Sequence, residues 1–166
     1  MCGMQHPAIS YRLGEGFSKT ERLCSEKLIA RLYQSGDFIS KYPLRINLVL
    51  CELPENVPCQ VVFTVGKKRF PSAVNRNRIK RLMRELYRKS KMPVYHYLNE
   101  NGKQLAMSMI YTGKELPDFQ MLEKQWTSMQ KRIMKKLDEM IMFELRSGEV
   151  GAELGAEVEK KVGGSK

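Results

Sequence analysis

Between Lys67 and Lys91 the chain gathers eleven basic residues: Lys67, Lys68, Arg69, Arg76, Arg78, Lys80, Arg81, Arg84, Arg88, Lys89 and Lys91. A single acid, Glu85, stands among them, so this window carries +10 of the chain's formal +11. Outside it, 18 cations meet 17 acids. A one-signed cluster in an otherwise balanced chain is the footprint of a polyanion rather than a solubilising coat. Between Arg76 and Lys91 arginine outnumbers lysine, which favours bidentate phosphate contacts and stacking on bases. Asn77 adds a neutral group able to donate and accept, suited to a base edge or a sugar hydroxyl.

Other chemistry is missing from the pattern. There is no Ser/His/Asp or Cys/His set and no paired carboxylate near the basic window, so we expect no catalytic residue and no nuclease chemistry from the chain itself. Gly66-Lys67-Lys68 lacks the remainder of the G-x-x-x-x-G-K-[ST] phosphate loop. His96, between Tyr95 and Tyr97, reads as a surface or packing residue rather than a general base. Cys2, Cys24, Cys51 and Cys59 form no C-x-x-C pair and, with His6 and His96, no zinc spacing. No metal site is expected. Reduced, buried cysteines in a cytoplasmic protein are the simplest reading. No apolar h-region follows Met1 and no apolar run approaches the roughly 20 residues that span a bilayer.

The elements that must position the cations are legible from period. Ser25 caps a first helix carrying Glu26 in its first turn, with Leu28, Ile29, Leu32 and Tyr33 on one face. Gly36 is placed to end it in the left-handed conformation. Leu44, Ile46, Leu48 and Leu50 alternate with polar residues, which predicts a half-buried strand. Glu52 to Pro58 reads as a hairpin loop, and Gln60 to Val65 as a second, β-branched strand. Ser72 caps a second helix whose Ile79, Leu82, Met83, Leu86 and Tyr87 form an apolar stripe; it should stop before Pro93. After a turn at Asn101-Gly102, Leu105 to Tyr111 is a third strand. Asp118 caps a final helix with Leu122, Trp126, Met129, Ile133, Leu137 and Met140 or Ile141 inward. Residues 1–18 form a flexible arm, 19–146 a single domain and 147–166 a disordered, Gly- and Glu-rich tail. The order is αββαβα.

On the second helix Arg76, Lys80 and Arg84 fall at i, i+4 and i+8, with Asn77, Arg81 and Arg88 on the ridge beside them. Like charges at this spacing repel by a few tenths of a kcal/mol per pair. The helix alone gains nothing from that arrangement. A bound phosphate backbone relieves it, and each neutralised phosphate releases a counterion.

The run Ala73-Val74-Asn75-Arg76-Asn77-Arg78-Ile79-Lys80-Arg81-Leu82, with Arg84-Glu85 after it, resembles the Arg-Asn-Arg signature of the bacterial ribonuclease P protein family. The strand before it, the loop Lys67-Lys68-Arg69 and the element order resemble that family too, over about residues 17 to 140. The resemblance implies an α+β fold, a two-layer α/β sandwich with a mixed sheet and a left-handed crossover. It also implies two RNA-facing surfaces. Lys67, Lys68, Arg69, Arg76, Asn77, Arg78, Lys80, Arg81, Arg84 and Arg88 would bind RNA. Of these, Arg81, Arg84 and Arg88 would face a catalytic RNA. Arg76, Asn77 and Lys80, with Ile29 and Tyr33 of the first helix, would lie by a cleft for the single-stranded 5′ leader of precursor tRNA. The family commonly sets two aromatics four residues apart on that helix, where this chain has Ile29 and Tyr33. Tyr33 suits stacking and packing alike. Phe63 and Phe70 are further aromatic candidates, Phe63 with a strand residue's bias toward the core.

The function so implied is that of a ribonuclease P protein subunit: an endoribonuclease as holoenzyme, with catalysis and Mg²⁺ in the RNA and no cofactor held by the protein. Its partners would be the catalytic RNA, at one protein per RNA, and precursor tRNA, in the cytoplasm, with no membrane or DNA. A general or ribosome-associated RNA-binding protein without a catalytic RNA partner is the alternative. A helix-turn-helix DNA binder would need a short helix where Gln60 to Val65 reads as strand.

Overall fold

The computed structural model describes residues 16–162, and side chains up to residue 147. It contains α1 (Glu26–Ser35), β1 (Asp37–Lys41), β2 (Leu44–Leu50), β3 (Cys59–Val65), α2 (Ala73–Ser90), α3 (Met92–Glu100), β4 (Leu105–Tyr111) and α4 (Phe119–Val162). All six expected elements are present in the expected order; β1 and α3 are additions. The chain divides into two units after Arg132, within α4, and each is described by itself.

The four strands are ordered β1-β2-β4-β3. β2 pairs antiparallel with β1 and β4, while β3 runs parallel to β4. The sheet is therefore mixed. Glu52 to Pro58 is not a hairpin loop: β4 lies between β2 and β3, and the chain crosses from one side of it to the other. Alternation marks a strand but not its neighbour, which is why pairing escaped the sequence reading. As a central strand β2 is also buried on both sides, with only Arg45 exposed, rather than half-buried.

One sheet face carries Leu44, Ile46 and Leu48, with Val61, Phe63, Met107 and Met109 in register beside them. It packs on α2, α3 and the start of α4. The rings of Phe63, Tyr87 and Trp126 form a chain of edge contacts, Phe63–Tyr87 at 6.1 Å and Tyr87–Trp126 at 6.4 Å. The opposite face is covered in part by α1, where Leu32, Val49, Ala106 and Leu23 are buried with Ile29 and Val62 against them.

Helix ends follow local chemistry. Ser25 Oγ accepts from Leu28 N and Ser72 Oγ from Asn75 N, so both predicted caps stand. α2 ends at Ser90, and Pro93 sits in the first turn of α3, where a missing N–H costs nothing. Gly36 is extended (φ −73°, ψ 140°) rather than left-handed. A Cβ there would collide with the Leu32 carbonyl, so close approach and not φ requires glycine. Among the described residues the left-handed glycine is Gly102 (φ 59°), at the predicted Asn101-Gly102 turn.

Three further expectations are corrected. Gly16 to Ser18 belong to the fold rather than to a flexible arm, since Phe17 packs edge-on against Phe63 and Tyr87; residues 1–15 lie outside the described residues. α4 extends through Val162, past Ser147, from which a disordered tail was expected. Cys24 is exposed and Cys51 half-buried, leaving Cys59 as the fully buried cysteine among those described. In the unit beginning at Ile133, Ile133, Leu137 and Ile141 are buried at the spacing foreseen. Among the described residues no helix is long and apolar enough to cross a membrane.

Candidate nucleic-acid interface

The basic loop from Gly66 to Pro71 closes on itself through Arg69 N and Phe70 N, both donating to Gly66 O. Phe70 is buried against the Tyr111 ring at 5.9 Å. It is a hydrophobic peg, and it turns Lys67, Lys68 and Arg69 outward, all three exposed. The Arg69 guanidinium also donates to Thr112 O, tying the loop to the end of β4.

Arg76 has a second use. Its guanidinium donates to Phe70 O at 2.8 Å and Pro71 O at 2.6 Å. It is half-buried, and it staples the basic loop to the first turn of α2. Beyond it the ridge is open: Asn77, Arg78, Arg81 and Arg84 are exposed and Lys80 is half-buried. Ile79, Met83, Leu86 and Tyr87 are buried on the opposite side, with Leu82 half-buried at the border. No acid occupies the first turn of α2, so the positive end of its dipole adds to the cationic loop.

Charge thins toward the end of α2. Arg88 holds Glu85 bidentately, at 2.9 Å through Nε and 2.7 Å through a terminal nitrogen. That hydrogen bond, ahead of any effect of desolvation, keeps the Glu85 carboxyl below its usual range. Lys89 stands 4.0 Å from the same carboxylate and over the Phe119 ring. Lys91, counted with the cluster from sequence, is 3% exposed and contributes nothing to the outer surface. It forms an ion pair with the buried Glu21 and donates to Gly16 O at 2.6 Å. Tyr95 also donates to Glu21, and Glu21 accepts from Ser18 N. Burial pushes the Glu21 carboxyl upward, but these donors outweigh it and hold the group below its ordinary value. Burial pushes the nearby Cys59 thiol up to about 12, so it is no nucleophile.

The other sheet face holds the cleft candidates. Tyr33 is 49% exposed, and its hydroxyl hydrogen-bonds Thr64 and Ser108, each at 3.2 Å. Its tip is fixed to the sheet while part of the ring remains open, which fits stacking more than packing. Ile29 is drawn into the apolar cluster beneath α1, and Phe63 lies in the core on the far face. Sequence reasoning missed Phe17 and Glu21, which lie in a stretch without period.

Nothing among the described residues forms a metal-binding cluster of His, Cys, Asp or Glu. A strand, and not a short helix, precedes α2, so the scaffold is not a helix-turn-helix. What fold and site define is a basic α/β sandwich that carries an outward row of cations on one helix and on the loop before it. The ribonuclease P family model matches residues 17–138. The ribonuclease P protein component of Porphyromonas gingivalis is 35% identical over 120 residues, covering 72% of this chain and 85% of that one. That of Chlorobium phaeobacteroides is 34% identical over 132 residues, covering 74% and 90%. Two solved structures share the fold at 20% identity. The RNase P protein of Staphylococcus aureus has a TM-score of 0.53 over 68% of this chain and 94% of that one. The one from Thermotoga maritima has a TM-score of 0.52 over 68% and 96%. This chain belongs to the ribonuclease P protein family.

Proposed function

We propose that this chain is the protein subunit of a ribonuclease P holoenzyme, working in the cytoplasm at one copy per catalytic RNA. The observation that carries the reading is the outward row Lys67, Lys68, Arg69, Arg78, Arg81 and Arg84 on a helix anchored by its opposite face. The family places the chain in an endoribonuclease complex that matures tRNA 5′ ends. Within it, Arg81 and Arg84 meet the phosphates of the catalytic RNA. Asn77 and Lys80 lie toward the precursor, and Tyr33 offers a ring to the unpaired leader.

Chemistry would reside in the RNA, where Mg²⁺ held by the RNA would supply activation of water and stabilisation of charge on the reacting oxygens. This chain acts by positioning and electrostatics. Its cations lower the repulsion between two polyanions, so catalytic RNA and precursor approach each other at modest Mg²⁺. Contacts to the leader exist for the precursor and are lost with the product, and that difference is discrimination of substrate over mature tRNA.

Reconstitution tests this. Wild-type protein added to its catalytic RNA should raise precursor cleavage at low Mg²⁺, and an Arg81→Ala, Arg84→Ala double variant should lose most of that gain. A folded double variant that stimulates as well as wild type would sink the assignment.

A further inference from the structure

The exposed pair Phe38–Arg45 lies on the same sheet face as Tyr33, yet no part of the site described so far uses it. Phe38 stands on the edge strand β1 and is 60% exposed. Arg45, exposed on β2, sets its guanidinium carbon 4.5 Å from the Phe38 ring centroid. The register fixes their neighbours. Arg45 pairs with Ile110, and Ile110 with Thr64, so Thr64, Ile110 and Arg45 form one row across the sheet, with Phe38 flanking its far end. Ile110 and Thr64 are half-buried, and Thr64 holds the Tyr33 hydroxyl. Gly66, where the basic loop opens, follows Thr64 by two residues. Loop, Tyr33 and Phe38–Arg45 therefore share one end of the sheet.

We infer that Phe38 and Arg45 form a second stacking platform, on which bases of the single-stranded leader rest after passing Tyr33. This rests on the reading of the chain as a ribonuclease P subunit. A guanidinium against one ring face leaves the rest of the ring open and adds a charge for the leader's phosphates, the aromatic-plus-cation pairing that holds single strands without reading sequence. The row between Thr64 and β1 spans three inter-strand gaps, about 14 Å at the usual spacing, room for a few extended nucleotides. Continuity with the Tyr33 surface and the cationic loop argues for single-stranded RNA as the occupant.

The test measures affinity of the reconstituted holoenzyme for two precursors, one with a long leader and one whose leader is cut back to the nucleotides next to the cleavage site. Phe38→Ala and Arg45→Ala should each weaken binding of the long-leader precursor about five- to tenfold. The loss should shrink to within about twofold for the short one. Phe38→Tyr should keep near-wild-type affinity. Abasic substitution along the leader should reveal one stretch where the loss does not add to that of Phe38→Ala. No loss with the long leader, or equal losses with both, overturns the platform while leaving the subunit reading standing. Wild-type protein that fails to tighten precursor binding over the catalytic RNA alone overturns both. Both side chains are exposed, so their removal spares the core; circular dichroism of the variants checks that they fold.

Discussion

Arg76 and Lys91 show how far a side chain's charge can be from its use. In sequence both are cations of one cluster. In the structure Arg76 bonds two carbonyls of its own loop, and Lys91 is buried against Glu21. Arg76→Ala should therefore cost about 1–3 kcal/mol of stability, since charged hydrogen bonds are lost and carbonyls left unpaired. Arg81→Ala should stay within about 0.5 kcal/mol, as exposed positions do. Urea unfolding of the two variants separates these roles. Glu21→Gln strands a buried ammonium and should cost about 3–5 kcal/mol. Because the Glu21 carboxyl sits below its ordinary 4.5 in the folded protein, its contribution is complete above that value. It disappears as pH falls through the lower folded value. Acid unfolding should accordingly lose this component in Glu21→Gln. An unchanged acid transition would contradict the assignment.

At the scale of elements, α2 is a helix of two faces with opposed demands. Its apolar side supplies Ile79, Met83, Leu86 and Tyr87 to the core, and its outer side repels itself. Leu86→Ala should destabilise by about 2–5 kcal/mol through lost transfer energy and a cavity. Arg84→Ala should raise the stability of the free protein by a few tenths of a kcal/mol, because Lys80 and Arg88 are its i±4 neighbours. It should at the same time weaken RNA binding. A variant that gains in thermal unfolding and loses in affinity marks a residue kept for a partner. Both faces were readable beforehand: period placed the stripe, and one-signed charge placed the ridge. Less readable were β1, five residues long, and α3, whose Pro93 looked like a terminator but opens a helix.

For the molecule as a whole, sequence conveyed the element order and the family, but not how the strands pair. Local pattern sets which face of a strand is apolar; the insertion of β4 between β2 and β3 is a long-range choice among sheets that bury the same residues. The site divided along the same line. The loop and α2 follow each other in the chain, so their cations could be found by counting. The anchoring of Gly16 to Glu21 on α2 and α3, and the Phe38–Arg45 pair across two strands, depend on which segments meet. Trp126 is buried against Tyr87, on the inner side of α2. Trp126→Ala should cost about 3–5 kcal/mol, and RNA affinity should fall only in proportion to the unfolded fraction. Affinity lost by a fully folded Trp126→Ala protein would show that the ridge depends on more than α2's own register.

The most direct measurement is the salt dependence of affinity for the catalytic RNA, taken for wild type and for an Arg78→Ala, Arg81→Ala, Arg84→Ala triple variant. If α2 presents its outer arginines to phosphates, the slope of log affinity against log salt should become shallower by about one unit per arginine removed, up to about three. A folded triple variant whose slope and affinity match those of wild type would contradict the account.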